Sequence, residues 1–469
     1  MPPTLRIIAT AAVLSAQTLA APTQAEREAV TEIAVRQNPT ATTISDSDQL
    51  AQAISDFSAD FASASAAASV GEAILTAIVP APGPSSVPEL QSELQEIASA
   101  NPHDFFASGF NILANGLAGG DYLQIGNAYL LESSNNNINL INPATPVYPQ
   151  AGPDDAPYSL SEADLRKVIH IPPGFTYGQI PPVIFLPGTA AVGGQNFGPN
   201  YGKLFGENKI ADPVYVNLPG KNLADIQVAA EYVAYAVNYI SGISGGKNVS
   251  TISWSAGSLD GQWALKYWPS TRSKVSDKIG ISPDYHGTIE APLVCPGFVT
   301  AGCTPATAQQ NYNSTFIRTL RNNGGDSAYV PTTNVYSIFD DVVEPQQDPD
   351  ASGSLGDARG RGVSNTELQA ACTAVLPGGE FYNTHEGVLY NALAYALAVD
   401  ALQHPGPGEL SRINVTYQCS QVATPGLSLA DILATEALVP LVAANVLAFE
   451  PKVAGEPPIM AYAQKDIPA

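Results

Sequence analysis

The string Ser253-Trp254-Ser255-Ala256-Gly257 is the part of this sequence best suited to covalent chemistry. Val249–Trp254 alternates as a strand before it, and a helical stretch follows. A serine on a tight turn from strand to helix has its hydroxyl thrust outward, which is the setting of a nucleophile elbow. Such a turn needs small residues two before and two after the serine. Ser253 and Gly257 satisfy that, although glycine at both places is the usual pattern. The bland alternative is an ordinary Ser/Gly turn.

A serine hydroxyl becomes a nucleophile only when a base takes its proton, and an acid must orient that base. In the strand–helix setting of an elbow the chain order is serine, acid, histidine. Of the five histidines (His103, His170, His286, His385 and His404) the last three follow Ser255. His404 precedes Pro405-Gly406-Pro407-Gly408 and reads as a solvated turn residue. His385 stands in Thr384-His385-Glu386-Gly387, a polar turn ahead of an expected helix over Val388–Leu402. The acid should end a strand between serine and histidine. Asp340 ends an expected strand over Asn334–Phe339, and Asp341 follows it. Successive side chains alternate in direction, so only one of the two can reach the imidazole. Asp284, after an expected strand over Lys278–Ser282, is the rival. Thr189, behind the strand Val183–Leu186, and the backbone N–H of Ala256 are the candidate oxyanion donors. A plain turn hydroxyl accounts for Thr189 equally well.

The elements that must position these residues alternate strand and helix from about residue 165. Further strands are expected over Val183–Leu186 and Val214–Leu218, and helices over Ala224–Ile240 and Ala306–Arg321. This is an α/β pattern with right-handed crossovers and a mostly parallel sheet. Residues 21 to about 120 differ: they are rich in Ala and Ser, with helical patterns at Asp48–Ala62, Val70–Ile78 and Glu89–Ala98. They read as a helical N-terminal extension, either a cap or a pro-segment, in front of a catalytic domain spanning 121–469. The cap would use apolar residues such as Ile54, Phe57, Phe61, Ile74, Leu75 and Ile78. Residues 1–20 have the charged start, apolar middle and small residues of a signal peptide, so a secreted, extracellular protein is expected.

Secretion makes the four cysteines disulfide partners rather than metal ligands and makes the sequons at Asn248, Asn313 and Asn414 usable for glycan. With 43 acidic against 20 basic residues, a net charge of -23, no nucleic-acid partner is expected. Leu429–Phe449 is apolar, but Asp431, Glu436 and Pro440 argue against membrane insertion.

With these residues in place the chain resembles the Candida antarctica lipase B family of fungal lipases over roughly residues 180 to 463. The likeness rests on ordered strings: Pro187-Gly188-Thr189, Gln195-Asn196-Phe197, Trp254-Ser255 with Gln262-Trp263, and Arg272-Ser273-Lys274-Val275. Pro283-Asp284-Tyr285, Pro331-Thr332-Thr333-Asn334, Asp340, Glu344-Pro345-Gln346, His385 with Gly387, and Met460 with Tyr462-Ala463 complete them.

The resemblance implies the α/β-hydrolase fold, with Ser255 as nucleophile, Asp340 as acid and His385 as base. Thr189 and the Ala256 N–H would form the oxyanion hole. It implies Trp254 under the alcohol part of the ester, and Asp284 as an acid near the pocket outside the triad. The family carries Gln where Ala256 stands, so a backbone donor survives but the amide side chain is lost. Cys372 and Cys419 match the family's middle disulfide. Cys295 and Cys303 have no counterpart and are expected to close a small loop in the lid segment. The family's first and last cysteine pairs are missing. A helix over Ser428–Phe449, opened by a Ser428/Asp431 capping pattern, would either flank the pocket or lie buried in the core.

The expected activity is hydrolysis of carboxylic esters such as acylglycerols, without metal or organic cofactor. An esterase or polyester hydrolase without interfacial preference is the neighbouring alternative, and a non-catalytic binding protein on the same fold is the distant one.

Overall fold

Short apolar strands punctuated by helices resolve, in the computed structural model, into one seven-stranded sheet. Residues 43–57, 63–101, 103–295, 302–376 and 381–468 are described here. The expected signal peptide, Phe61 and part of the lid loop lie outside them.

The strands are β1 (Ile169–His170), β2 (Pro182–Leu186), β3 (Asp212–Val216), β4 (Val249–Trp254), β5 (Val275–Ile281), β6 (Thr332–Tyr336) and β7 (Val363–Glu367). Their order across the sheet is β1-β3-β2-β4-β5-β6-β7, with β1 antiparallel to β3 and all other pairs parallel. Chain order reverses at β2 and β4, which brings the loop after β2, carrying Thr189, beside the turn after β4, carrying Ser255. Register makes this concrete: Leu186 lies opposite Ser253, and Trp254 opposite Ile281. Alternation sends the side chains of β2 into two cores. Ile184 and Leu186 pack with the Ile226–Ile243 helix, and Val183 and Phe185 with Phe197, Tyr201 and Leu393.

Helices of the extension span Ser47–Phe57, Ala64–Ala77, Val87–Ala100 and Phe105–Ala114. The last was not anticipated. It is apolar nearly all round, burying Phe106, Phe110, Ile112 and Leu113, so it lacks the polar face that marks a helix in sequence. These helices form a third core together with Leu438–Ala448. A small residue sets the approach at Gly71, where a Cβ would stand 2.3 Å from Leu447 Cδ1.

Three expected helices are broken, two of them where a side chain caps a new start. The Ala306–Arg321 stretch divides into Pro305–Gln309 and Thr315–Arg321, with Ser314 Oγ accepting from Ile317 N at 3.0 Å. The Val388–Leu402 stretch becomes a 3₁₀ turn at Gly387–Tyr390 and a helix at Ala392–Gln403, which Asn391 caps through Ala394 N. The Ser428–Phe449 stretch bends at Ala437 into Leu429–Glu436 and Leu438–Ala448. Its Ser428/Asp431 capping box is present, and Pro440 falls in the first turn of the second helix, where its missing N–H costs nothing. Every residue from Leu438 to Leu447 is buried, as in the core helix of a globular domain.

Candidate active site

Ser255 occupies the corner between β4 and the Gly257–Tyr267 helix with φ +54°, a conformation a β-carbon normally disfavours. Its N–H donates to Ile281 O at 3.1 Å, which ties the strained residue to β5. The small residues around it have separate reasons. A Cβ on Gly257 would lie 2.3 Å from Leu186 O and 2.7 Å from Pro187 O, so only glycine fits. At position 253 a side chain is accommodated: Ser253 Oγ donates to Ile279 O at 3.2 Å. On the facing loop, a Cβ on Gly188 would come 2.5 Å from the Trp254 ring and 3.0 Å from Ser255 Cβ.

His385 and Asp340 meet 45 residues apart in sequence, Nδ1 to Oδ2 at 2.7 Å. Asp340 is held on its other oxygen by the N–H groups of Val342 (3.0 Å) and Val343 (2.8 Å). The His385 carbonyl accepts from Trp254 Nε1 at 3.1 Å and Ser282 Oγ at 2.9 Å, so both ends of the residue are pinned. His385 Nε2 is buried without a hydrogen-bond partner among the described residues and lines the same cavity as Ser255. Asp341 points instead into a crevice with Thr384, Glu386 and Val439.

Burial pushes the His385 pKa down, but Asp340's charge and hydrogen bond, with the charges of Glu386 and Asp341, outweigh it and leave it above 6.5. Asp341 is pushed up to about 7 by burial and the charges of Glu386 and Asp340.

The Thr189 hydroxyl donates to Gln310 Oε1 at 2.9 Å, and Gln310 Nε2 donates to Ala306 O at 3.0 Å, which fixes which end of the amide faces Thr189. The N–H groups of Thr189 and Ala256 have no acceptor among the described residues. Thr189, Trp254, Ser255 and His385 share the cavity, about 580 Å³ of empty space with its mouth included. Phe105 of the extension and Leu438, Val439 and Val442 of the Leu438–Ala448 helix supply much of its apolar wall. That helix therefore both flanks the pocket and belongs to a core.

Asp284 does not line the cavity. It is fully buried behind it, neither carboxylate oxygen has a hydrogen-bond partner among the described residues, and its N–H donates to Ser258 Oγ at 3.0 Å. Burial, then the charge of Asp340, raises its pKa well above 3.8.

Gln310, Glu386 and Phe105 were not picked out from sequence. Gln310 sits in a short polar helix end without a motif, and Phe105 belongs to the helix that the pattern concealed. Both expected disulfides are formed, Cys295–Cys303 and Cys372–Cys419. Asn248, Asn313 and Asn414 are all exposed.

The fold that carries these residues has a counterpart among solved structures. The chain superposes on the crystal structure of Aspergillus fumigatus lipase B with a TM-score of 0.78 and 44% identity, covering 88% of this chain and 100% of that one. It is 32% identical over 284 residues to Lipase B of Pseudozyma antarctica, covering 60% of this chain and 79% of that protein. The chain belongs to the lipase B family. No family model matches it. As a lipase B relative it is an ester hydrolase with the α/β-hydrolase fold, and the expected family and architecture both hold.

Proposed function

We propose that this family member is a secreted serine lipase or carboxylesterase that hydrolyses carboxylic esters, acylglycerols among them, through an acyl-enzyme on Ser255. His385 Nε2 takes the Ser255 proton as the hydroxyl attacks the ester carbonyl, and Asp340 stabilises the imidazolium that forms. The oxyanion is met by the Ala256 N–H and by the Thr189 N–H and hydroxyl. His385 then protonates the departing alcohol, and water or a second alcohol releases the acyl group. Trp254 and the valines of the Leu438–Ala448 helix suit an apolar substrate. The unsatisfied base is the observation that carries this reading: His385 Nε2, buried and unpartnered, faces the cavity that holds a serine at positive φ. Four cysteines, all paired, and three exposed sequons favour an oxidising, extracellular setting.

The test is labelling by an organophosphonate ester beside turnover of a nitrophenyl ester series, run below and above micelle formation. Wild-type protein should be labelled once and lose activity, while Ser255→Ala should neither label nor turn over yet stay folded. Labelling at another residue, or turnover by the alanine variant, would overturn the assignment. A rate that rises sharply with micelles marks a lipase, and one that does not marks an esterase.

A further inference from the structure

A second cluster of chemically capable side chains lies beside the cavity and takes no part in acyl transfer. His103 stands in the short loop between the Val87–Ala100 and Phe105–Ala114 helices, Glu290 just before the 3₁₀ turn Ala291–Val294, and Glu344 four residues after Asp340. One ligand atom from each, an imidazole nitrogen or a carboxylate oxygen, lies within 4.8 Å of the other two. His103 Nδ1 is 3.1 Å from Glu290 Oε1. The geometry points to a divalent transition-metal site, taking Zn²⁺, built from His103, Glu290 and Glu344.

The two carboxylates are held together by the fold rather than by chance on a surface. Thr288 Oγ1 accepts from the N–H of Glu290 and from the N–H of Glu344, each at 3.0 Å, and donates to Val342 O at 2.9 Å. Ile289 N also donates to Glu344 O at 3.1 Å. One hydroxyl thus fixes the backbones of both acids side by side, against their mutual repulsion. Glu290 is 6% exposed, and no hydrogen bond to the Glu344 carboxylate occurs among the described residues.

The donor set selects the ion. One imidazole nitrogen and two carboxylates suit Zn²⁺, at about 2.0–2.2 Å from each ligand with water in the remaining position. Ca²⁺ would call for six or more oxygens. The three ligand atoms already lie within 4.8 Å of one another, and the His103 side chain is 56% exposed, so an ion has a path in.

The consequence lies in what the site would join. Each ligand stands within two residues of a group lining the ester cavity: His103 near Phe105, Glu290 beside Ala291, Glu344 beside Val343. A bound ion would cross-link the extension, the start of the lid segment and the loop that carries Asp340. It acts as a structural staple on the pocket mouth.

The experiment uses the full chain, treated with EDTA, dialysed, and titrated with ZnCl₂ by calorimetry, with thermal unfolding followed in parallel. One equivalent should bind, and the midpoint should rise with Zn²⁺ because the ion binds only the folded form. His103→Ala and Glu344→Gln should each weaken binding at least about tenfold and lose the thermal shift. His286→Ala, at the separate His286–Asp326 pair, should change neither. Absence of binding, affinity unchanged in both His103→Ala and Glu344→Gln, or equal stabilisation by Ca²⁺ would overturn the proposal.

Discussion

His385 Nδ1 lies 2.7 Å from Asp340 Oδ2, while Asp341, the next residue in the chain, turns away into a crevice beside Glu386. Only Asp340 can hold the imidazole in the tautomer that leaves Nε2 free for Ser255. Asp340→Asn should therefore lower kcat by several orders of magnitude, about 10⁴-fold in a comparable triad. Asp341→Asn should cost far less. Equal losses in a single ester assay would undo the assignment.

The pH dependence follows from the surroundings of His385. The base works when neutral, and its pKa lies above 6.5, so kcat/KM should rise with pH through a midpoint above that value. Part of the upward push comes from the charge of Glu386. Glu386→Gln should move the midpoint down while keeping an acceptor for the Thr384 hydroxyl, now at 2.7 Å from Glu386 Oε1. A midpoint unchanged or raised in the variant, read from nitrophenyl acetate hydrolysis between about pH 5 and 9, would refute this electrostatic account.

At the oxyanion hole the side-chain and main-chain donors should respond differently. Thr189→Val should reduce kcat by roughly 10²-fold or more if the hydroxyl donates to the oxyanion. Ala256→Gln should be tolerated, because that position contributes its N–H. Gln310→Glu should slow the reaction, since a carboxylate holds the Thr189 proton more tightly and places negative charge beside the developing oxyanion. Presteady-state acylation by an activated ester separates these three, and a Gln310→Glu rate equal to wild type would count against the Thr189 hydroxyl as a donor.

We propose that the extension is retained as a cap rather than removed as a pro-segment. Phe106, Phe110 and Leu113 are buried in one core with Val439 and Val442, and Phe105 reaches the cavity wall. A chain starting at Asp121 should still hydrolyse small esters, with a lower thermal midpoint and weaker discrimination among bulky ones. Uniformly higher activity in the shortened chain would make the extension inhibitory instead.

Several features were legible in the sequence because they depend on local rules. The elbow needs glycine where a β-carbon would strike Leu186 O, and a parallel strand buried on both faces needs an unbroken apolar run such as Val183–Leu186. The order serine, acid, histidine follows from strand order, so Ser255, Asp340 and His385 could be named, and the resemblance chose Asp340 over Asp284. Only the tertiary structure decided the rest. The direction of Asp340 against Asp341, the burial that raises the pKa of Asp284, and the hold of Gln310 on Thr189 all depend on residues far apart in the chain. The same is true of the extension: the Phe105–Ala114 helix shows no amphipathic pattern because it is covered on nearly every side, and its partners lie more than three hundred residues away in Leu438–Ala448. Periodicity reports a single boundary between core and solvent. It carries no signal where both faces of a helix are buried, nor where one hydroxyl, Thr288, draws together acids from two loops.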